Sequence, residues 1–194
     1  MRARRMTREQ RRSQLLATAA EIIRAEGTDA LTLLRLAERA GVSRPVVYDH
    51  FETREGLLMA LYRDYDDQIG RAIRQAPRDQ PETLENVVTI LSSAYVDGVL
   101  AAGPECEQVY AALSGSPQTR GFRQRSSDFY VEEFRAAIEP FVPLSPKSDL
   151  ALLTGMFNVV EGLSRAAATG RISRAEAISV STDIVLGALR GRAS

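Results

Sequence analysis

Residues 31–61 read LTLLRLAERAGVSRPVVYDHFETREGLLMAL, and the reading of this stretch decides the fold. Thr32 stands where a hydroxyl can accept a free backbone N–H of an opening helical turn. Leu33, Leu36 and Ala37 follow on one face at helical spacing. Gly41 supplies the left-handed residue that ends such a helix, a conformation in which any Cβ is penalised. Ser43 is placed to cap a second helix, and Pro45 falls in its first turn, where a missing N–H costs nothing. Thr53 caps the helix after that. Two short helices joined across a glycine-containing turn make a helix-turn-helix.

The chemistry of the second short helix fits DNA. The leading residues of a recognition helix reach base edges, and here they are Ser43, Arg44, Pro45 and Val46. Arg44 can donate a fork to guanine O6 and N7, and Val46 can touch a thymine methyl. Tyr48, His50, Thr53 and Arg54 can all donate to phosphate oxygens, as can Thr32 and Ser43. The helix opened by Thr53 adds N-terminal amides and a partial positive charge that favour a phosphate. A plain helical hairpin with Tyr48 and His50 half-buried is the competing reading. It accounts for single residues but not for the ordered set.

That set resembles the DNA-binding domain of the TetR/AcrR family of bacterial transcriptional regulators. The residues that carry the resemblance are Thr32, Leu36–Ala37, Ala40 to Ser43, Tyr48, His50–Phe51 and Leu57–Leu58, preceded by Leu15, Leu16, Ala19, Ala20 and Gly27. They cover about the first third of the chain. Leu34 departs from the pattern, since the family commonly has a polar or basic residue there. Arg54 replaces the usual Lys, which keeps the charge and changes its geometry. The resemblance implies a two-fold dimer built on the last two helices, a palindromic DNA operator, and a small-molecule effector that relieves repression.

Outward from this core, Thr7 and Gln10 read as a capping box opening a helix to about Glu26, ended by Gly27. Thr53 begins a long helix expected to run to Ala76, with a loop at Arg78 to Pro81. Its continuity gives a rigid element running from the DNA-reading region into the rest of the chain. Helices are expected over 82–102, 105–113, 118–138, 148–169 and from Ser173, the last with Glu176 as a second capping box. The fold class is therefore all-α, with about nine helices. Residues 1–53 form a three-helix DNA-binding domain, and 54–194 a larger ligand-binding and dimerisation domain. The last two helices are apolar over more than one stripe, so each is expected to bury two faces, one against a second subunit. A monomer with a more enclosed core is the alternative.

An aromatic-lined ligand cavity can be drawn from Tyr62, Tyr65, Tyr95, Tyr110, Phe129, Phe134 and Met156, with Asn158 and Glu161 as polar groups to orient the ligand. The same residues at helical spacing also suit a simple core. Asp66–Asp67 and Glu132–Glu133 adjoin on helices, point apart, and read as solvated faces.

Net charge is zero over 194 residues, but its distribution is uneven. Residues 1–60 hold eleven Arg against eight acidic residues. Arg2, Arg4, Arg5, Arg8, Arg11 and Arg12 face Glu9 alone, which reads as a phosphate or minor-groove arm or as a solvated tail. A single Cys and a single His exclude a disulfide framework, a zinc cluster and HExxH chemistry, so no cofactor and no metal is implied. Cys106 reads as a small buried hydrophobe or as an exposed redox-sensing thiol. There is no Gly-rich phosphate loop and no nucleophile elbow, so an enzyme is not expected. No signal peptide and no apolar run of membrane-spanning length is read, and the location expected is the cytoplasm.

Overall fold

A computed structural model describes residues 6–75, 83–115 and 117–190. Among them are nine α-helices: α1 Arg8–Glu26, α2 Leu33–Ala40, α3 Arg44–Phe51, α4 Arg54–Gln75, α5 Leu84–Ala102, α6 Glu105–Ser114, α7 Pro117–Ile138, α8 Leu150–Ala168 and α9 Arg174–Arg190. A 3-10 turn, Thr28–Ala30, separates α1 from α2. The all-α class stands. The expected helix end at Ala76, the loop at Arg78 to Pro81 and the arginines before Met6 lie outside the described residues.

Local caps set most boundaries. Thr7 and Gln10 close a reciprocal capping box at the start of α1, and Ser173 and Glu176 close another before α9. Thr83 Oγ1 accepts the Asn86 N–H to start α5. Gly41, at φ 64° and ψ 36°, ends α2 in the left-handed region, and the Val42 N–H returns to the Ala37 carbonyl.

By packing the chain forms two compact units. One comprises residues 1–65 and 105–120, the other 66–104 and 121–194. This grouping differs from a boundary at 53/54: α6 joins the helix-turn-helix unit, and the division falls inside α4. The buried side chains of the first unit include Leu15, Ile22 and Ile23 of α1, Leu36 of α2, Val47 and Phe51 of α3, and Leu57 and Leu61 of α4. The α6 helix brings Val109 and Leu113. In the second unit α5, α8 and α9 pack mutually around Val88, Leu91, Tyr95, Leu153, Phe157, Val160, Val185 and Leu189, with Ile69, Tyr130 and Phe134 in the same cluster.

One sequence expectation is corrected here. The α5 helix is long and apolar enough to cross a membrane by length and composition. Glu85 and Asp97 interrupt its apolar run, so no continuous apolar stretch of that length stands in the sequence. Its apolar face is core: Val88, Leu91, Ala94, Tyr95, Val96, Val99 and Ala102 are buried within the unit.

Candidate nucleic-acid interface

The α3 helix is held by its inner face and offers its outer one. Val47 and Phe51 are buried, four residues apart. Arg44, Pro45, Tyr48 and Asp49 are exposed, and Val46 and His50 are half-buried beside them. Tyr48 stands 50% exposed, a large aromatic surface left to solvent. Thr32 caps α2 by accepting the Arg35 N–H at 3.0 Å, which leaves its own O–H free to donate. Thr53 likewise accepts the Gly56 N–H at 2.9 Å and opens α4.

Ser43 sits at the N-cap of α3, but its hydroxyl makes no capping bond. The donors it would cap are already gone: Pro45 has no N–H, and the Val46 N–H donates to the Ser43 carbonyl. Arg54 also differs from expectation. Its Nε donates to the Leu31 carbonyl at 2.8 Å and its Nη2 to the Thr28 carbonyl at 2.6 Å, so the guanidinium braces the 3-10 turn instead of standing free for a phosphate.

The first turns of α1 border this face. Arg8 donates to the Asp49 carbonyl at 3.3 Å, and the Arg12 guanidinium lies 5.3 Å from the centroid of the Phe51 ring. Arg8, Val46, Asp49 and His50 line a groove of about 450 Å³. Burial and the charges of Arg8 and Arg12, with Arg11 behind them, hold the His50 pKa below the ordinary histidine value, while Asp49 acts the other way.

The residues put forward for a ligand separate. Tyr62, Tyr65 and Tyr110 are in the first unit, where Tyr62 stacks on Tyr110 with centroids 5.9 Å apart. Burial pushes the Tyr65 phenol well above its usual range, with the Glu105 charge adding to it. Tyr95, Phe134 and Met156 are buried in the second unit. There Tyr95 and Phe134 join an aromatic cluster, with Tyr130 stacked on Phe157 at 5.6 Å and Tyr95 edge-on to both, and Met156 lies in the same core. Phe129 is instead 44% exposed. Asn158 is exposed on α8 and donates to the Thr154 carbonyl, and Glu161 is half-buried.

The sequence model described as bacterial regulatory proteins, tetR family, matches residues 15–61, from the core of α1 through the helix-turn-helix into α4. The helix-turn-helix region of the chain is of the TetR family. The chain carries the helix-turn-helix of a family of DNA-binding transcriptional regulators. The transcriptional activator FasR of Mycolicibacterium smegmatis is 39% identical to it over 77 residues, a match spanning 40% of this chain and 35% of that relative. The transcriptional regulator BetI of Serratia proteamaculans is 26% identical over 191 residues and 93% of each chain. A TetR-like transcriptional regulator from Rhodococcus sp. RHA1 shares the fold, with a TM-score of 0.75 at 18% identity over 97% of this chain and 100% of that one.

Two placements depart from what the local sequence leads one to expect. Asp66 is not part of a solvated face. It is half-buried, and the hydroxyls of Ser126 and Tyr130 donate to its carboxylate at 2.6 and 3.0 Å. Neighbours on a helix point about 100° apart, so Asp67 can be exposed while Asp66 turns inward. The signal was present: Asp66 falls in step with Tyr62, Ile69 and Ile73 on the apolar face of α4. Arg8, one of a basic run in the sequence, finds its partner on α3, 41 residues away.

Proposed function

We propose that this chain is a sequence-specific transcriptional regulator that binds a palindromic operator as a dimer and leaves it when a small molecule binds, which makes it a repressor. The observation that carries the reading is the outer face of α3. Arg44, Pro45 and Tyr48 are solvent-facing there, while Val47 and Phe51 anchor the helix in the core. Arg44 and Val46 read bases, and Tyr48, His50, Thr32 and Ser43 position the domain on phosphates. Arg54 acts through the turn it braces. Residues 1–53 carry the reading of DNA; residues 54–194 carry dimerisation and the effector.

The dimer reading draws on an apolar surface. Leu150 of α8 and Val180 and Ile184 of α9 are large apolar side chains exposed to solvent. Two copies joined there would present two recognition helices to half-sites about 34 Å apart or a multiple of that. The effector reading draws on the second unit, where a packed aromatic cluster adjoins the polar groups of Asp66, Ser126 and Tyr130. A ligand favouring one arrangement of the dimer shifts the balance by its differential affinity alone. The compartment is the one that holds the operator, the cytoplasm.

The test is selection from a pool of random-sequence duplexes, followed by a gel shift with DNA from upstream of the chain's own gene. Enrichment of a two-fold-related sequence supports the reading; recovery of no preferred sequence overturns it. Activation is the second reading, favoured by the 77-residue match to an activator. A reporter driven by the selected operator separates the two by the sign of its response.

A further inference from the structure

The groove beside the recognition helix is built for an anion. Arg8 reaches into it from the first turn of α1, and Val46, Asp49 and His50 line it from α3. The bond from Arg8 to the Asp49 carbonyl engages one of five guanidinium donors, and the others keep the planar fork that matches a phosphate. Arg8, Arg11 and Arg12 from α1 bear on the imidazole against the single carboxylate of Asp49. Burial first, and then these charges, lower the proton affinity of the ring in the free protein. Arg8 and Asp49 balance in the lining, and Arg11 and Arg12 add positive charge beside it, so a fork of donors and a ring that titrates meet at the edge of the helix expected to enter the major groove.

We propose that this groove seats one phosphodiester of the DNA backbone between Arg8 and His50, and that seating it carries a proton onto His50. The proposal rests on the DNA-binding reading above. A phosphate beside the ring offsets the arginine charges that disfavour the imidazolium, so the bound state takes up a proton that the free state lacks. A group with higher proton affinity in the complex makes binding tighter as pH falls. Asp49 opposes the phosphate, so its charge weakens the seat.

Full-length protein is tested against its best-bound duplex from a random pool by fluorescence anisotropy, over a range of salt and between about pH 5 and 8. Arg8→Ala lowers the slope of log affinity against log salt by about 0.9 for each half-site, one phosphate contact, and Arg8→Lys restores it. Wild type tightens on acidification by up to about tenfold for each pKa unit that His50 gains, and His50→Gln removes that tightening. Asp49→Asn binds more tightly than wild type. For any variant that melts early, wild-type protein on duplexes with single neutral methylphosphonates reads the same contact. One position per half-site then removes both the salt term and the acid tightening. An unchanged slope in Arg8→Ala, or acid tightening that persists in His50→Gln, overturns the groove and leaves the DNA reading standing. A wild type that prefers no sequence overturns the reading beneath it.

Discussion

Arg24 and Glu105 lie 81 residues apart in the chain, yet the guanidinium at the end of α1 grips the carboxylate at the start of α6. The Glu105 side chain is 1% exposed, and the Arg24 side chain is 57% exposed. Two donors of one fork meet two oxygens of one carboxylate, the arrangement that gives a charge pair its directionality. The pair raises the Arg24 pKa, chiefly through the hydrogen bond and then through the charge of Glu105. Arg24→Ala leaves a buried carboxylate without its partner and lowers the unfolding free energy by about 1.5–3 kcal/mol. Combined with Glu105→Gln, the loss is less than the sum of the two single losses in urea titrations. Strict additivity would mean that the pair does not hold α6.

The turn between α3 and α4 stores strain at one residue and forbids a side chain at another. Glu52 has φ 59° and ψ −51°, and the Thr53 N–H closes a three-residue turn on the Phe51 carbonyl at 2.5 Å. Glu52→Gly relieves about 1 kcal/mol and raises the melting temperature. Gly56 has the opposite sign, because a Cβ there would stand 2.2 Å from the Phe51 carbonyl oxygen. Gly56→Ala costs about 1–3 kcal/mol. Two thermal melts against wild type decide both signs.

Asp66 makes stability depend on pH in a defined direction. Burial lifts its carboxyl above the usual range, against the bonds from Ser126 and Tyr130, and the charge of Asp67 adds to the lift. A raised folded value means that this group's contribution is full below the unfolded pKa, about 3.9. It is lost as pH rises through the folded value. Asp66→Asn keeps an acceptor for both hydroxyls and carries no charge. Its melting temperature therefore gains on wild type as pH goes from acid to neutral. A difference that is flat across that window rules out the carboxyl as the cause.

The α9 surface tests the dimer. Ile184 is 46% exposed, while Val185 beside it is fully buried, so a charge at 184 leaves the fold of the subunit intact. Ile184→Glu yields a folded monomer in sedimentation, with helicity retained and operator affinity lost. A wild type that sediments as a monomer at the same concentration would dispose of this surface as the seam.

The proposed division on α3 between base reading and phosphate positioning predicts two different losses. Arg44→Ala costs about 1–3 kcal/mol and relaxes preference at one base position. Tyr48→Phe removes only a hydroxyl at the exposed end of the ring and weakens all duplexes alike. Titration of operators mutated one position at a time distinguishes a loss confined to one position from a uniform one.

Signals with a reach of four residues were legible in the chain itself. Thr7 with Gln10, Thr32 before Arg35, Gly41 after Ala40, and Ser173 with Glu176 each find their partner within one helical turn. Caps of this kind set where helices begin and end, and those boundaries delineate the helix-turn-helix. The buried rows were legible for the same reason. Leu33, Leu36 and Ala37 share a face by spacing alone, and all three are buried.

Tertiary structure decided what each polar side chain does, because their partners are far off in sequence. Nothing near Arg54 indicates that it would brace carbonyls 23 and 26 residues earlier. Nothing near Asp66 indicates that the Tyr130 hydroxyl, 64 residues on, would donate to it. Amino-acid order determined the helices and their apolar faces, since backbone hydrogen bonds and side-chain period are local. Which carboxylate is buried, which arginine is left for DNA and which helices share a unit depend on the packing of distant faces, and only the folded chain brings those together.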